Sequence, residues 1–231
     1  MEPQAEQGNS WTDLRTRIVS SAAFAVPALL CLWVGGVAFS SLVILMAVIM
    51  VQEWENLTEQ RSETTRISGY AYVIIPCACL LWMRDICVPS DVSLGLKIVL
   101  ALIAVISATD IGAYFAGRKF GHNKLAPSIS PNKTWEGLIG GVVAATITGT
   151  LFAPYINVHQ SVTLAICVSP LIAIVAQIGD LFKSWMKRRA GVKDSGTILP
   201  GHGGLLDRLD GYMFTAPILA LIIYFALKEA I

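Results

Sequence analysis

Acids, lysines and glycines crowd into two short polar stretches of an otherwise apolar chain, and their spacing points to phosphate chemistry. The second stretch opens with Gly179-Asp180-Leu181-Phe182-Lys183-Ser184-Trp185-Met186-Lys187-Arg188-Arg189. A helix continued through Arg189 places Asp180, Ser184 and Lys187 at i, i+4 and i+7, on one face within about 60° of arc. An acid ending an apolar run is expensive unless paired or metal-bound, about 2.5–3.5 kcal/mol at mid-span and less near the interface. Asp180 is therefore a functional candidate, with a salt bridge to Lys183 or Lys187 as the alternative.

Lys193-Asp194-Ser195-Gly196 and Leu199-Pro200-Gly201-His202-Gly203-Gly204-Leu205-Leu206-Asp207-Arg208-Leu209-Asp210 follow. Pro200 and the four glycines interrupt any helix and let backbone N–H groups approach a ligand closely. Gly203-Gly204 also resembles a helix start, which attracts anions. Asp180 and Asp207, separated by this glycine-rich return, are expected to face one another across a cleft. Two hard carboxylates without a His or Cys pair favour Mg²⁺, which bridges one or two carboxylates to substrate phosphates. Lys187, Arg188, Lys193 and Arg208 then read as phosphate contacts, and the inventory as phosphoryl or nucleotidyl transfer.

The first polar stretch supplies a matching half. Asp110 ends an apolar run and is followed by Tyr114, Gly117, Arg118 and Gly121, then by Ser130-Pro131-Asn132-Lys133-Thr134-Trp135-Glu136-Gly137. Lys133 and Thr134 are candidates to hold phosphate oxygens, and Glu136 to bind metal or order the lysine. The alternative for this stretch is a capped helix start with Glu136 in its first turn. His122 and His202 suit structural or ligand contacts better than general-base roles.

The elements that position these groups follow from composition. The 231 residues are 55% hydrophobic and 14% charged with a net charge of +1, and mean hydropathy is +0.63. That excludes a disordered chain, a nucleic-acid binder built on a basic patch and a soluble globular domain, which carries roughly 25% charged residues. Five cysteines with no Cys-x-x-Cys pair read as small core residues rather than a disulfide framework or metal site. A polytopic, all-α membrane protein remains.

Spans of about 20 apolar residues are predicted at Ile18–Val34, Val37–Val51, Ile67–Met83, Val92–Ala108, Leu138–Ala153, Val162–Ile178 and Tyr212–Leu227, about seven in all. The first two are divided only by Gly35-Gly36, so a single bent hairpin is the alternative there. The start, residues 1–16, is polar and mixed in charge, unlike a signal peptide, so the first span is expected to be retained. With the N-terminus inside, only Arg84, Lys97 and Lys228 of the 17 basic residues fall at the outer face. The positive-inside rule then predicts a cytoplasmic N-terminus, an outer C-terminus and both polar stretches on the cytoplasmic side. The chain reads as one membrane-embedded domain, with N-terminal helices at 1–97, a catalytic region at 98–215 and a final span at 212–231.

The pattern Ser184-x-Met186-Lys187-Arg188, Lys193-Asp194-x-Gly196, Leu199-Pro200-x-His202-Gly203-Gly204-Leu205-x-Asp207-Arg208-Leu209-Asp210 resembles the signature of the phosphatidate cytidylyltransferase (CDP-diacylglycerol synthase) family. Asp110-x-x-Ala113-Tyr114-x-x-Gly117-Arg118 and Ser130-Pro131-x-Lys133-Thr134-x-Glu136-Gly137 are similar to that family too, and together the matches cover roughly residues 98–215. The resemblance implies that CTP and phosphatidic acid give CDP-diacylglycerol and pyrophosphate, without a protein nucleophile, in phospholipid biosynthesis. It implies Asp180 and Asp207 as metal ligands, with Lys187 and Arg208 completing the catalytic set. Lys133, Thr134, Glu136, Ser184, Arg188, Lys193, Asp194, His202, Gly203, Gly204 and Asp110 are the implied substrate-binding residues. It further implies Mg²⁺, a monovalent cation such as K⁺, a homodimer and a bacterial inner membrane. The chain is short beside the family's usual bacterial members, and one or two N-terminal spans are expected to be missing from it. Two other readings stay open: a CTP-dependent transferase acting on an ether lipid or polyprenol, and an anion transporter. The latter would need charged residues in several spans and access from both sides.

Overall fold

Apolar runs too long for a soluble core become helices because a bilayer leaves every backbone polar group to be satisfied within the segment. The computed structural model describes residues 10–59, 61–156, 161–192, 195–196 and 203–230, the side chains at 10–21, 161, 229 and 230 excepted. Seven long helices follow in order: α1 (Ser10–Val34), α2 (Gly36–Thr58), α3 (Glu63–Arg84), α4 (Leu94–Phe120), α5 (Trp135–Phe152), α6 (Ser161–Ala190) and α7 (Asp210–Ala230). Six of these segments are long and apolar enough to cross a membrane, among the described residues. The predicted seventh, at Ile18–Val34, falls on α1, whose described apolar part is the shorter Ala22–Val34. Gly35 and Gly36, at φ 71° and 50°, break α1 from α2 in a conformation that glycine adopts readily. Large apolar side chains such as Val37, Leu151 and Phe225 face outward, as a lipid solvent allows.

Helices α4 and α5 pack most closely. A Cβ added at Gly112 would lie 2.6 Å from the Ala144 methyl and from the Gly140 carbonyl oxygen, so only glycine permits this crossing. Between them runs an element absent from the all-α expectation: an antiparallel hairpin of β1 (Lys124–Ala126) and β2 (Ser130–Thr134). Its strands are too short and polar for a hydrophobic pattern to announce them.

The 30 residues of α6 extend about 45 Å at 1.5 Å per residue. A span consumes about 20 residues, so the last ten or so, from Asp180 onward, stand at or beyond the membrane surface. Residues 61–62, the hairpin and the described residues 191–192 and 203–209 share that end, where an Arg61 guanidinium contacts the Arg189 carbonyl and Arg188 Nε donates to Ile129 O at 3.5 Å. At the opposite end Arg84 Nε donates to Leu32 O at 2.7 Å, capping α1.

Candidate functional site

Two linked clusters form where α6 leaves the apolar layer. The first is built on Asp180, about three turns before the end of α6 at Ala190. Its Oδ2 lies 2.6 Å from Lys133 Nζ, carried on β2, and Lys133 also donates to Gln177 Oε1 at 2.5 Å. The alternative reading of Asp180 thus has the right kind of contact but a different partner, Lys133 instead of Lys183 or Lys187. Asp110, Tyr114, Asn132, Lys133, Gln177 and Asp180 line one polar cavity of about 290 Å³. The hairpin therefore folds Lys133 back over the end of α6, joining the halves that the two polar stretches foreshadow.

The second cluster is built on Asp207. Its Oδ1 lies 2.8 Å from Lys187 Nζ and 3.1 Å from Lys183 Nζ. Its Oδ2 accepts from Ser195 N and Ser195 Oγ, both at 2.9 Å, and from Gly204 N at 3.2 Å. Burial works against the Asp207 charge, but the Lys183 and Lys187 ammonium groups and the Ser195 N–H outweigh it and hold the carboxyl well below the usual carboxylate range. Lys183, only 5% exposed, bridges the clusters: besides Asp207 it contacts Asp210 Oδ2 at 2.5 Å, and Asp210 is within hydrogen-bonding reach of Asp180.

Asp180 and Asp207 are thus connected through Lys183 and Asp210 rather than face to face across an open cleft. This bears on metal binding. Among the described residues no group of three or more His, Cys, Asp or Glu side chains could hold a metal ion. Mg²⁺, however, needs only one or two carboxylates when phosphates complete its shell. An ionised carboxylate offers about four acceptor positions. The five donors around Asp207 fill them, whereas Asp180 keeps capacity beside the polar cavity. The hard oxygen donors suit Mg²⁺ at Asp180; Asp207 joins such a site only by releasing a protein partner such as Lys187.

Other expected residues take definite places. Thr134 caps α5, its Oγ1 accepting from Gly137 N at 3.1 Å, as in the capped-helix alternative. Glu136 accepts from Asn123 N at 3.2 Å and Asn123 Nδ2 at 2.9 Å, so it orders the entry to β1 and not Lys133. Ser184 is half-buried on α6, and Arg188 and Arg208 are exposed at the same end. Lys193, Asp194 and His202 lie outside the described residues. Gly203 takes a left-handed φ of 76°.

The sequence reading does not single out Glu53, on α2. It is 2% exposed, and its two carboxylate oxygens accept from Leu205 N and Leu206 N, each at 2.8 Å. Among the described residues of the stretch expected to cradle an external anion, three N–H groups are therefore taken by internal carboxylates, those of 205 and 206 by Glu53 and that of 204 by Asp207. The only local signal is an acid ending an apolar run, the same one that marks Asp180.

The Cytidylyltransferase family model matches residues 62–226. Known proteins similar to this chain include the phosphatidate cytidylyltransferase of Brucella suis biovar 1, 36% identical over 252 aligned positions that cover 91% of this chain and 93% of that protein. The phosphatidate cytidylyltransferase of Staphylococcus haemolyticus is 45% identical over 129 positions, 56% of this chain and 50% of its own.

Proposed function

The chain belongs to the Cytidylyltransferase family, and from that premise we propose that it is an integral-membrane phosphatidate cytidylyltransferase, converting CTP and phosphatidic acid to CDP-diacylglycerol and pyrophosphate. The observation that carries this reading is the meeting of Lys133 with Asp180, and of Lys187 with Asp207, at the end of one long apolar helix. A water-soluble nucleotide and a lipid phosphate can meet only at such a surface.

In the reaction, a phosphatidate oxygen attacks the α-phosphorus of CTP in line. A new P–O bond forms as the α–β anhydride bond breaks, and the electron pair leaves with pyrophosphate. No protein nucleophile is required. Lys133, which lines the polar cavity, suits the nucleotide phosphates; Lys187, Arg188 and Arg208 suit the charge that develops on the leaving group. Bound Mg²⁺ supplies charge neutralisation at the phosphates; Asp180 is its proposed ligand, with Asp207 as the second on release of Lys187. Thr134 and Glu136 serve by fixing the start of α5 and the hairpin that carries Lys133. Ser184, Lys193, Asp194, His202, Gly203 and Asp110 complete the proposed substrate surface, with Gly204 serving through its N–H bond to Asp207, and a monovalent cation such as K⁺ is the proposed second ion.

The enrichment of basic residues at the site end supports a cytoplasmic active site and N-terminus, an outer C-terminus and a bacterial inner membrane. A homodimer is the proposed assembly. The acceptor is tested by incubating purified protein with CTP, Mg²⁺ and, in turn, phosphatidate, an ether-lipid analogue and a polyprenol, with lipid products identified by mass. CDP-diacylglycerol from phosphatidate is the expected product; reaction only with another acceptor would replace this substrate assignment.

A further inference from the structure

We propose that Glu53 is a positioning residue for the transfer site: α2 uses it to hold the 203–209 turn, and with it Asp207 and Arg208, in working position. Glu53 lies ahead of the segment matched by the family model, residues 62–226, and ahead of both polar stretches. A carboxylate 2% exposed must be compensated by hydrogen bonds, because burying an unpaired charge is costly. No ion pair of Glu53 occurs among the described residues. Compensation comes from two successive backbone N–H groups, Leu205 and Leu206, at 2.8 Å each, and from Ser195 Oγ at 3.4 Å. Successive N–H groups converging on an anion form a nest, and here the anion belongs to the chain itself.

Gly204 of the turn and Gly196 ahead of it make room for it. A Cβ at Gly204 would crowd Ser195 Oγ and lie 2.6 Å from Glu53 Oε2, and one at Gly196 would lie 2.8 Å from Oε1. Leu205 and Leu206 are 3% and 0% exposed, so the turn is anchored on both sides: apolar side chains held in the core, N–H groups held by Glu53. Asp207 and Arg208 follow directly and present their side chains to the α6 lysines and the surface. Glu53 thus acts through the turn, whereas Lys133 stands on β2 and does not depend on it.

The kinetic part of the test rests on the cytidylyl-transfer reading; the exchange part does not. Glu53→Gln keeps one acceptor oxygen and places an amide donor against an N–H group. Backbone hydrogen exchange in a peptide covering residues 203–209 is expected to accelerate about tenfold or more, with exchange in α4 and α5 unchanged. For CDP-diacylglycerol formation, kcat is expected to fall about tenfold or more while KM for CTP changes less than threefold. Gly204→Ala, whose methyl would crowd both Ser195 Oγ and Glu53 Oε2, is expected to give the same pattern and serves if the Glu53 variant does not accumulate. In a double-mutant cycle, Gly204→Ala added to Glu53→Gln is expected to cost much less than it does alone. Unchanged exchange at 203–209, exchange accelerated equally throughout the helices, unchanged kcat or strictly additive losses would each overturn the assignment. A wild-type protein that makes no CDP-diacylglycerol but shows the local exchange effect would refute the reaction and leave the positioning role standing.

Discussion

Asp207→Asn removes the charge from a carboxylate that five donors surround: Lys187 at 2.8 Å, Lys183 at 3.1 Å, Ser195 through N and Oγ at 2.9 Å, and Gly204 N at 3.2 Å. The side chains are 9% exposed for Asp207 and 6% for Lys183, so the pair is sheltered from water. Removing one partner of such a pair costs about 3–5 kcal/mol, chiefly because the other charge is left buried. An Asn amide also has to aim its NH₂ at either the lysines or the Ser195 and Gly204 N–H groups, and either choice sets donor against donor. If that cost falls on the working arrangement of the turn, turnover drops by about 10²- to several 10³-fold, at 1.36 kcal/mol per factor of ten. The assay is initial-rate CDP-diacylglycerol formation in detergent micelles at saturating Mg²⁺ and CTP, with helical content checked by circular dichroism. Activity within about threefold of wild type, with exchange at 203–209 unaltered, would refute the view that Asp207 organises the site.

Asp180→Asn is expected to abolish activity while the protein stays folded and inserted, and to eliminate Mg²⁺-dependent protection of the cavity in hydrogen exchange; measurable turnover at saturating Mg²⁺ would remove Asp180 as the metal ligand. Lys133→Met strips Asp180 of its 2.6 Å partner and is expected to raise KM for CTP more than tenfold, read from CTP titrations at fixed phosphatidate. Thr134→Ala deletes the cap on α5 and is expected to cost about 1 kcal/mol, seen as a lower melting temperature in detergent. Because the Asp207 carboxyl is held below the usual range, its contribution to the turn is present above its unfolded value near 3.9 and lost only as pH falls through the lower folded value. Exchange at 203–209 should therefore show no Asp207 titration between pH 5 and 8.

Much of the scaffold is written locally. The apolar runs become α2 to α7 because lipid enforces helices, and the face shared by Asp180 and Lys187 follows from the helical repeat once α6 continues to Ala190. What local pattern does not carry is pairing across distance. Lys133 reaches Asp180 through a hairpin whose strands hold three and five residues, and no hydrophobic alternation marks so short and polar a pair. Glu53 reaches residues 205 and 206 from a helix that precedes both polar stretches, and nothing in its neighbours specifies that contact. The glycines at 203 and 204 suggest an anion seat, and one exists; its occupant is internal, a fact set by how α2 lies against the 203–209 turn. Lys183 looks like one of several basic residues ending a span, yet its burial between Asp207 and Asp210 makes it the link between the two clusters.

The most direct test of nucleotidyl transfer at this site uses CTP labelled on the α- or the γ-phosphate, with phosphatidate and Mg²⁺, in membranes containing either the wild-type protein or Asp180→Asn. Transfer of the α-label to lipid and release of the γ-label as pyrophosphate by the wild type, both lost in the variant, is the predicted result. Label appearing on lipid from the γ-phosphate, or undiminished α-transfer by Asp180→Asn, would contradict it.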